Sequence, residues 1–304
     1  MEKVNILLST YNGKKYLSEL LQSIRDQDYS NLTVHIRDDG SNDDTLALCN
    51  SLCKNNTQWL TKPGNNIGIF GSFSELLLQS DADADYYSFC DQDDIWHKNK
   101  ITNAVTKIQK VDRSTPALYC SRVAIVDQNR HPIKLSLQPI YISFESSLIE
   151  NIAQGCTIVI NKAARDLLIR YIPTNFALLH DWWYYLVISA FGVIIFDTTP
   201  GVDYRMHGKN VSYGKFGNWA KMIIRLKRFL KGEAHYPFTQ AKILYTNYQH
   251  TISAEKKEIL QNFISLPESS LTKRLRFLFH NPFKRQQFID EILTRLMFLF
   301  VKYN

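Results

Sequence analysis

Three carboxylates in four residues, Asp91, Asp93 and Asp94, follow directly on the apolar run Tyr86-Tyr87-Ser88-Phe89. Like charges this close repel, and a fold keeps them only with a cation among them or water around them. The apolar run reads as a buried strand, so the carboxylates emerge at its end, on the rim of a sheet. In an open α/β sheet that rim is where ligands bind. The cluster is rich in oxygen and poor in histidine, which suits Mg²⁺ or Mn²⁺ better than zinc. A solvated acidic turn is the competing reading of the same residues.

The chain ahead of this cluster repeats one pattern. Val4-Asn5-Ile6-Leu7-Leu8-Ser9-Thr10 is a strand run stopped by Tyr11-Asn12-Gly13, and Leu17, Leu20, Leu21 and Ile24 follow at helical spacing. Residues 32–37 form a second strand pattern that ends in Asp38-Asp39-Gly40-Ser41. Asn42-Asp43-Asp44 then offers a cap to a helix carrying Leu46, Cys49, Leu52 and Cys53. Gly64-Asn65-Asn66-Ile67-Gly68 is a further loop, before a helix with Phe73, Leu76 and Leu77. Strands alternating with helices of this length predict an α/β fold, a mostly parallel sheet flanked by helices. The first turn has no GxGxxG and the chain no P-loop signature, which excludes the common dinucleotide and triphosphate cradles. Instead Thr10-Tyr11-Asn12, Asp38-Asp39 and residues 91–94 end three successive strands, and these ends are expected to converge.

Beyond the cluster, residues 116–126 read as a strand and Asp127-Gln128-Asn129-Arg130 as its turn. Residues 131–153 are poorly patterned and suit an acceptor loop. Gly155-Cys156-Thr157-Ile158-Val159-Ile160 reads as a strand introduced by a glycine. His180-Asp181-Trp182-Trp183 opens an apolar helix that ends near Gly192, with Asp181 as its expected N-cap. A last strand, residues 194–197 and 202–205, leads to His207-Gly208.

From Lys215 onward the pattern is helical. Trp219, Ile223, Leu226 and Leu230 share a face ringed by Lys221, Arg225, Lys227, Arg228 and Lys231. Near the end Ile289, Ile292, Leu293, Leu296 and Phe300 follow Lys273, Arg274, Arg276, Lys284 and Arg285. Basic amphipathic helices suit an anionic membrane surface. A helical subdomain packed on the sheet, or a homodimer interface, is the alternative use of the same faces. No reading motif accompanies the charge, so nucleic acid is not an expected partner. The expected division is residues 1–214 for the α/β domain and 215–304 for the helical basic extension.

Composition bounds the rest. Hydrophobic residues at 45% and charged residues at 21% are a globular balance. The net charge of +7 is uneven, with acids crowding the first half and bases the tail. Five cysteines form no CxxC pair, as expected of reduced core thiols. No apolar run approaches the roughly 18 residues of a membrane span, and Met1-Glu2-Lys3 has no leader pattern. The expectation is a cytoplasmic protein, peripheral on the inner face of the membrane if the basic helices dock there.

Together Ser9-Thr10-Tyr11-Asn12-Gly13, Arg37-Asp38-Asp39-Gly40-Ser41, Asn65-Asn66-Ile67-Gly68 and Asp91-Gln92-Asp93-Asp94-Ile95-Trp96 resemble the family-two inverting glycosyltransferases with the GT-A nucleotide-sugar fold. With His180-Asp181-Trp182-Trp183 and Tyr204-Arg205-Met206-His207-Gly208-Lys209-Asn210-Val211, the likeness is strongest to bacterial rhamnosyltransferases. It covers about the first 215 residues.

The resemblance implies a pocket in which Thr10, Tyr11 and Asp39 line the nucleotide base, Asp39 accepting from the pyrimidine N3–H. Asn12, Asn66 and Gln92 belong to the same donor-binding set. It implies that Asp91 and Asp93 form the DxD pair near ribose and metal, with Asp94 an alternative ligand and His207 a third. Arg205 and Lys209 would neutralise the diphosphate. It places the catalytic base at Asp181, where the capping reading is the competitor. The implied reaction moves a sugar, rhamnose from dTDP-rhamnose, from a nucleotide-sugar donor to a bacterial surface glycan or lipid-linked glycan. A non-catalytic nucleotide- or glycan-binding relative and a nucleotidyltransferase are the rivals. The first would not need Asp39, the acidic cluster, Asp181 and His207 together, and the second calls for a glycine-rich basic first loop that Tyr11-Asn12-Gly13 does not supply.

Overall fold

The computed structural model describes residues 1–54, 57–173, 179–207, 236–280 and 283–300. Nine strands form one sheet: β1 (Val4–Thr10), β2 (Leu32–Asp38), β3 (Trp59–Pro63), β4 (Tyr86–Asp91), β5 (Ile95–Trp96), β6 (Ala117–Val126), β7 (Pro132–Leu135), β8 (Val159–Asn161) and β9 (Val193–Arg205). The order is β3-β2-β1-β4-β8-β6-β9-β5, with β7 added to β6. Pairing is parallel through β3-β2-β1-β4 and again between β6 and β9, while β8 runs antiparallel between β4 and β6.

Helices α1 (Lys14–Arg25), α2 (Thr45–Cys53), α3 (Gly68–Gln79), α4 (Lys100–Ile108), α6 (Lys162–Leu168) and α7 (His180–Phe191) belong to the same unit as the sheet. The periodic residues of α1, Leu17, Leu20, Leu21 and Ile24, are all buried, each contributing about 2 kcal/mol of apolar burial. Val4, Ile6, Leu7 and Leu8 of β1 are fully buried on both faces, as a covered parallel strand requires.

This topology decides where a site can form. β1 has β2 on one side and β4 on the other, so the chain reverses direction across the sheet there and opens a crevice at the strand ends. Register sets the ends level: Thr10 lies opposite Asp38, and Ser9 opposite Asp91.

Four elements differ from the sequence reading. β3 went unread; it is an edge strand, where the closing Pro63 costs no ladder bond. The stretch after Gly155 is not one strand. Residues Gly155–Thr157 coil into a 3₁₀ turn, closed by Ile158 N–H to the Gly155 carbonyl at 3.1 Å, and β8 is only Val159–Asn161. Residues 131–153 hold β7, exposed along its whole length, and α5 (Phe144–Ile149), capped by the Ser143 hydroxyl accepting from Ser146 N–H. The cap of α7 is Leu179, in extended conformation, so Asp181 is the second helical residue and not the cap.

The chain forms two compact units, residues 1–138 with 152–207 and residues 139–151 with 208–304. In the second, α5, α8 (Tyr236–Tyr248), α9 (Ala254–Ile264), α10 (Leu271–His280) and α11 (Phe288–Phe300) surround Phe238, Phe263, Phe283 and Phe298. Their rings meet at 4.7 to 5.7 Å. The basic helix expected around Trp219 to Lys231, and Gly208 and Lys209, lie outside the described residues. Among the described residues no helix is long and apolar enough to cross a membrane.

Candidate active site

At the crevice the ends of β1 and β4 are tied together by one side chain. The Gln92 amide accepts from Tyr11 N–H at 2.8 Å and donates to the Tyr11 carbonyl at 2.9 Å, closing a two-bond strap. Gly13 makes room for it, since a Cβ there would stand 2.0 Å from Gln92 Oε1. Gly13→Ala is therefore expected to break the strap and to lower stability by about 1–3 kcal/mol, read in a denaturant melt, with weaker nucleotide binding. Asn12, at φ +49°, joins the loop to its neighbour: its N–H donates to the Ser41 hydroxyl and its side-chain oxygen accepts from Asn42 N–H, each at 2.9 Å.

The β2 end is built by two aspartates with different partners. Asp38 accepts from the Thr10 hydroxyl at 3.1 Å and from Ser41 N–H at 3.0 Å. Asp39, 3% exposed, is paired with Arg37 and accepts from Ile67 N–H and Gly68 N–H, each at 3.0 Å. It thus staples the Asn65-Asn66-Ile67-Gly68 loop to the rim, and Asn66 adds a bond from Gly68 N–H at 3.2 Å. Tyr11 stands open, 43% exposed, as do Asn12 and Asn66.

The acidic cluster divides in two. Donor atoms of Asp91, Asp94 and Cys156 lie within 4.8 Å of one another. Asp94 is fully buried; its Oδ1 accepts from Arg205 N–H at 3.2 Å, and the Cys156 thiol donates to its carboxylate. Burial, then the charges of Asp93 and Asp181, push the Asp91 carboxyl up to about 7, and burial drives Asp94 well above the usual carboxylate range. A fully buried carboxylate with a second carboxylate beside it fits a hard divalent cation. Cys156 is the soft member, and burial keeps it a thiol, unsuited to Mg²⁺ or Mn²⁺. Asp93 and His207 form the other part, Oδ2 to Nε2 at 2.7 Å, with the imidazole stacked on Tyr16 at 5.2 Å.

Because a proton and a cation compete for Asp91, the rise in melting temperature on adding Mg²⁺ or Mn²⁺ should be larger at about pH 8 than at about pH 5.5. An equal shift at both values would remove Asp91 from the ligand set.

Beneath the cluster lies a buried cation that the sequence reading did not single out. Lys100 donates to the Ser88 hydroxyl at 2.8 Å and sits 3.5 Å from the centre of the Trp96 ring, and burial pushes its pKa down to about 8. Its charge partly offsets the carboxylates above it.

Arg205, expected at the diphosphate, is 2% exposed, and its guanidinium donates to the carbonyls of Asp93 at 3.2 Å and Gln128 at 2.9 Å and to Glu19 at 2.9 Å. It lies over the Tyr16 ring at 4.6 Å. Arg205 braces β9 against α1 and the acidic cluster. The Gln92 amide and the Asn12 side-chain oxygen bond main chain, at Tyr11 and Asn42.

Asp181 is buried in the first turn of α7, its Oδ1 accepting from Trp182 N–H at 2.6 Å. The residue before it fixes that turn. His180 packs against Phe73 at 4.0 Å, Phe89 at 5.7 Å and Tyr184 at 5.6 Å, and burial lowers its pKa to about 3, so the ring is neutral. A Cβ on Gly155 would stand 2.9 Å from His180 Nε2 and 3.7 Å from Asp181 Cβ. Gly155→Ala should therefore shift the head of α7, lowering turnover together with thermal stability.

The description of glycosyl transferase family 2 matches residues 5–168. The chain is 30% identical over 223 residues to the dTDP-rhamnosyl transferase RfbG of Shigella flexneri, covering 68% of this chain and 75% of that protein. It is 28% identical over 244 residues to the UDP-Glc:alpha-D-GlcNAc-diphosphoundecaprenol beta-1,3-glucosyltransferase WfaP of Escherichia coli, covering 78% and 90%. Among solved structures, S. aureus TarS 1-349 in complex with UDP-GlcNAc aligns with a TM-score of 0.58 at 16% identity, over 98% of this chain and 90% of that one. Mannosyltransferase PcManGT from Pyrobaculum calidifontis, in complex with GDP-Man and Mn²⁺, aligns at 0.55 and 18% identity, over 92% and 76%. These last two likenesses carry the fold, a GT-A-like sheet flanked by helices. With a family match over more than half its length and a relative 30% identical across more than two thirds of each chain, this chain belongs to glycosyl transferase family 2 and is a glycosyltransferase.

Proposed function

We propose that the chain transfers rhamnose from dTDP-rhamnose, with inversion, onto a growing bacterial surface polysaccharide or lipid-linked glycan. The observation that carries the chemistry is Asp181, buried at the head of α7 with its charge bearing on Asp91. In this reading the Asp181 carboxylate takes the proton of the acceptor hydroxyl as that oxygen attacks the anomeric carbon. The bond from that carbon to the diphosphate breaks on the opposite face, and its electron pair leaves with dTDP. The carboxylate stands in the first turn of α7, at the positive end of the helix dipole.

Asp91 and Asp94, with Asp93 and His207 beside them, are the residues to hold a divalent cation, Mg²⁺ or Mn²⁺; when bound it supplies positive charge to the leaving diphosphate. Tyr11 offers the open aromatic face for the base, and Asp39 the carboxylate for the pyrimidine N3–H. Thr10, fully buried, acts through Asp38.

The donor rests on the likeness to RfbG, and the likeness to WfaP supports UDP-glucose as the second reading. A panel of dTDP-rhamnose, UDP-glucose, UDP-GlcNAc and GDP-mannose, each with Mg²⁺ or Mn²⁺, separates them. Under the proposal dTDP-rhamnose gives the largest rise in melting temperature and is the donor consumed. Preference for UDP-glucose would replace the donor and leave the site chemistry standing. Binding without turnover of any donor would favour a non-catalytic relative, and formation of a nucleoside triphosphate and a sugar 1-phosphate when inorganic pyrophosphate is added to the panel would favour a nucleotidyltransferase.

A further inference from the structure

The second unit carries an apolar surface that its own packing leaves outside. In α11 the exposed side chains are Phe288, Ile289, Ile292, Leu296 and Phe300, from 42% to 76% accessible, and their spacing sets them on one side of the helix. Within α11 Glu291 pairs with Arg295 at 2.8 Å, and it reaches Lys284, ahead of the helix, at 3.5 Å. The helix is amphipathic with its apolar face outward, the reverse of a helix that covers a core.

α10 runs antiparallel beside it. Arg274 donates to the Leu299 carbonyl at 2.9 Å, and Arg295 to the Leu278 carbonyl at 2.5 Å. α10 exposes Leu271, Leu275 and Phe279, every fourth residue, with Phe279 81% accessible. Gln286 adds a third piece, because its amide accepts from Ile140 N–H at 2.7 Å and donates to the Tyr141 carbonyl at 2.7 Å. That holds the exposed Ile140, Tyr141 and Ile142 near the start of α11.

Charge says what covers this surface. Residues 208–304 contain 17 Lys and Arg against 6 Asp and Glu, a net of +11, whereas residues 1–207 contain 19 against 23. Lys273 and Arg276 are exposed on α10 beside its apolar stripe. A second copy seated here would bring two segments of that charge together, and their repulsion opposes self-association. α11, at 13 residues, extends about 20 Å, too short to cross a bilayer. We propose that the α10–α11 pair docks on an anionic phospholipid surface, lying in its plane with the apolar side chains at the acyl boundary and the basic residues among the headgroups. This docking is independent of which sugar the first unit transfers.

The test is co-sedimentation of the full chain with vesicles of phosphatidylcholine alone and with added phosphatidylglycerol. The parent should pellet with the anionic vesicles at low salt, less at high salt, and stay in solution with phosphatidylcholine alone. Lys273→Glu with Arg276→Glu should weaken partitioning at least about 30-fold, two basic residues lost at about a fivefold factor each, with the repulsion of two added carboxylates on top. Ile292→Glu with Leu296→Glu, and separately Leu275→Glu with Phe279→Glu, should weaken it at least about tenfold. All six positions are exposed, so donor-induced melting shifts should match the parent.

A parent that ignores anionic vesicles overturns the proposal, as does equal pelleting with both vesicle types or pelleting unchanged in the apolar-face variants. Light scattering without vesicles supplies the remaining outcome. A parent dimer that becomes monomeric in Ile292→Glu with Leu296→Glu would show that a second copy covers the face, and would also overturn it.

Discussion

Asp181→Asn is expected to fold as the parent does, to bind nucleotide and metal, and to turn over roughly 10²-fold or more slowly. The expectation follows from what the carboxylate does in the structure. One oxygen accepts from Trp182 N–H within the first turn of α7, and an asparagine carbonyl can do the same. Leu179, not Asp181, is the cap of the helix, so the substitution removes no cap. What asparagine cannot do is take a proton. Asp181→Ala loses the Trp182 bond as well, and the extra loss of stability in that variant measures the structural share, on the order of 1 kcal/mol. Transfer by the Asn variant at the parental rate would show that the base lies elsewhere.

Asp91→Asn should separate stability from activity in the opposite direction. In the metal-free protein the Asp91 carboxyl is pushed up to about 7 by burial and by the neighbouring charges of Asp93 and Asp181. A folded pKa above the unfolded one means that ionising the group costs stability as pH rises from about 4 through about 7. Removing the charge should therefore raise the melting temperature of chelator-treated protein near pH 8, and the gain should vanish below about pH 4. Activity should fall by about two orders of magnitude or more, and metal should no longer shift the melt. Full activity of the parent in excess chelator would remove the cation from the reaction, and a variant less stable than the parent at pH 8 would contradict the charge crowding.

Much of the fold was legible because it is written in local signals. The runs at residues 4–10 and 86–89, the helical spacing of Leu17, Leu20, Leu21 and Ile24, and the turn chemistry of Asp38-Asp39-Gly40-Ser41 act over a few residues each, and the structure follows them. The unread strand β3 is short and at an edge, with only Trp59 buried, so it lacks the apolar run by which strands are read. The segment after Gly155 misled for a related reason. Its apolar residues mark burial, and burial alone does not distinguish a 3₁₀ turn from a strand.

By itself the sequence determined that strands alternate with helices, that carboxylates close the strands, and that basic residues gather in the tail, because periodicity, turn chemistry and charge are properties of neighbours along the chain. Only the tertiary structure decided which polar groups are already spent. Gln92 meets Tyr11 across 81 residues and Arg205 meets Glu19 across 186, so no local pattern marks either as a strap or a brace. The same holds for Asp91 and Asp181, whose charges act on each other across half the unit's sequence, and for the apolar side of α11, whose spacing would equally suit a buried helix. Hydrogen bonds and burial are settled by packing between distant segments, and a residue's role follows from the partners packing leaves it.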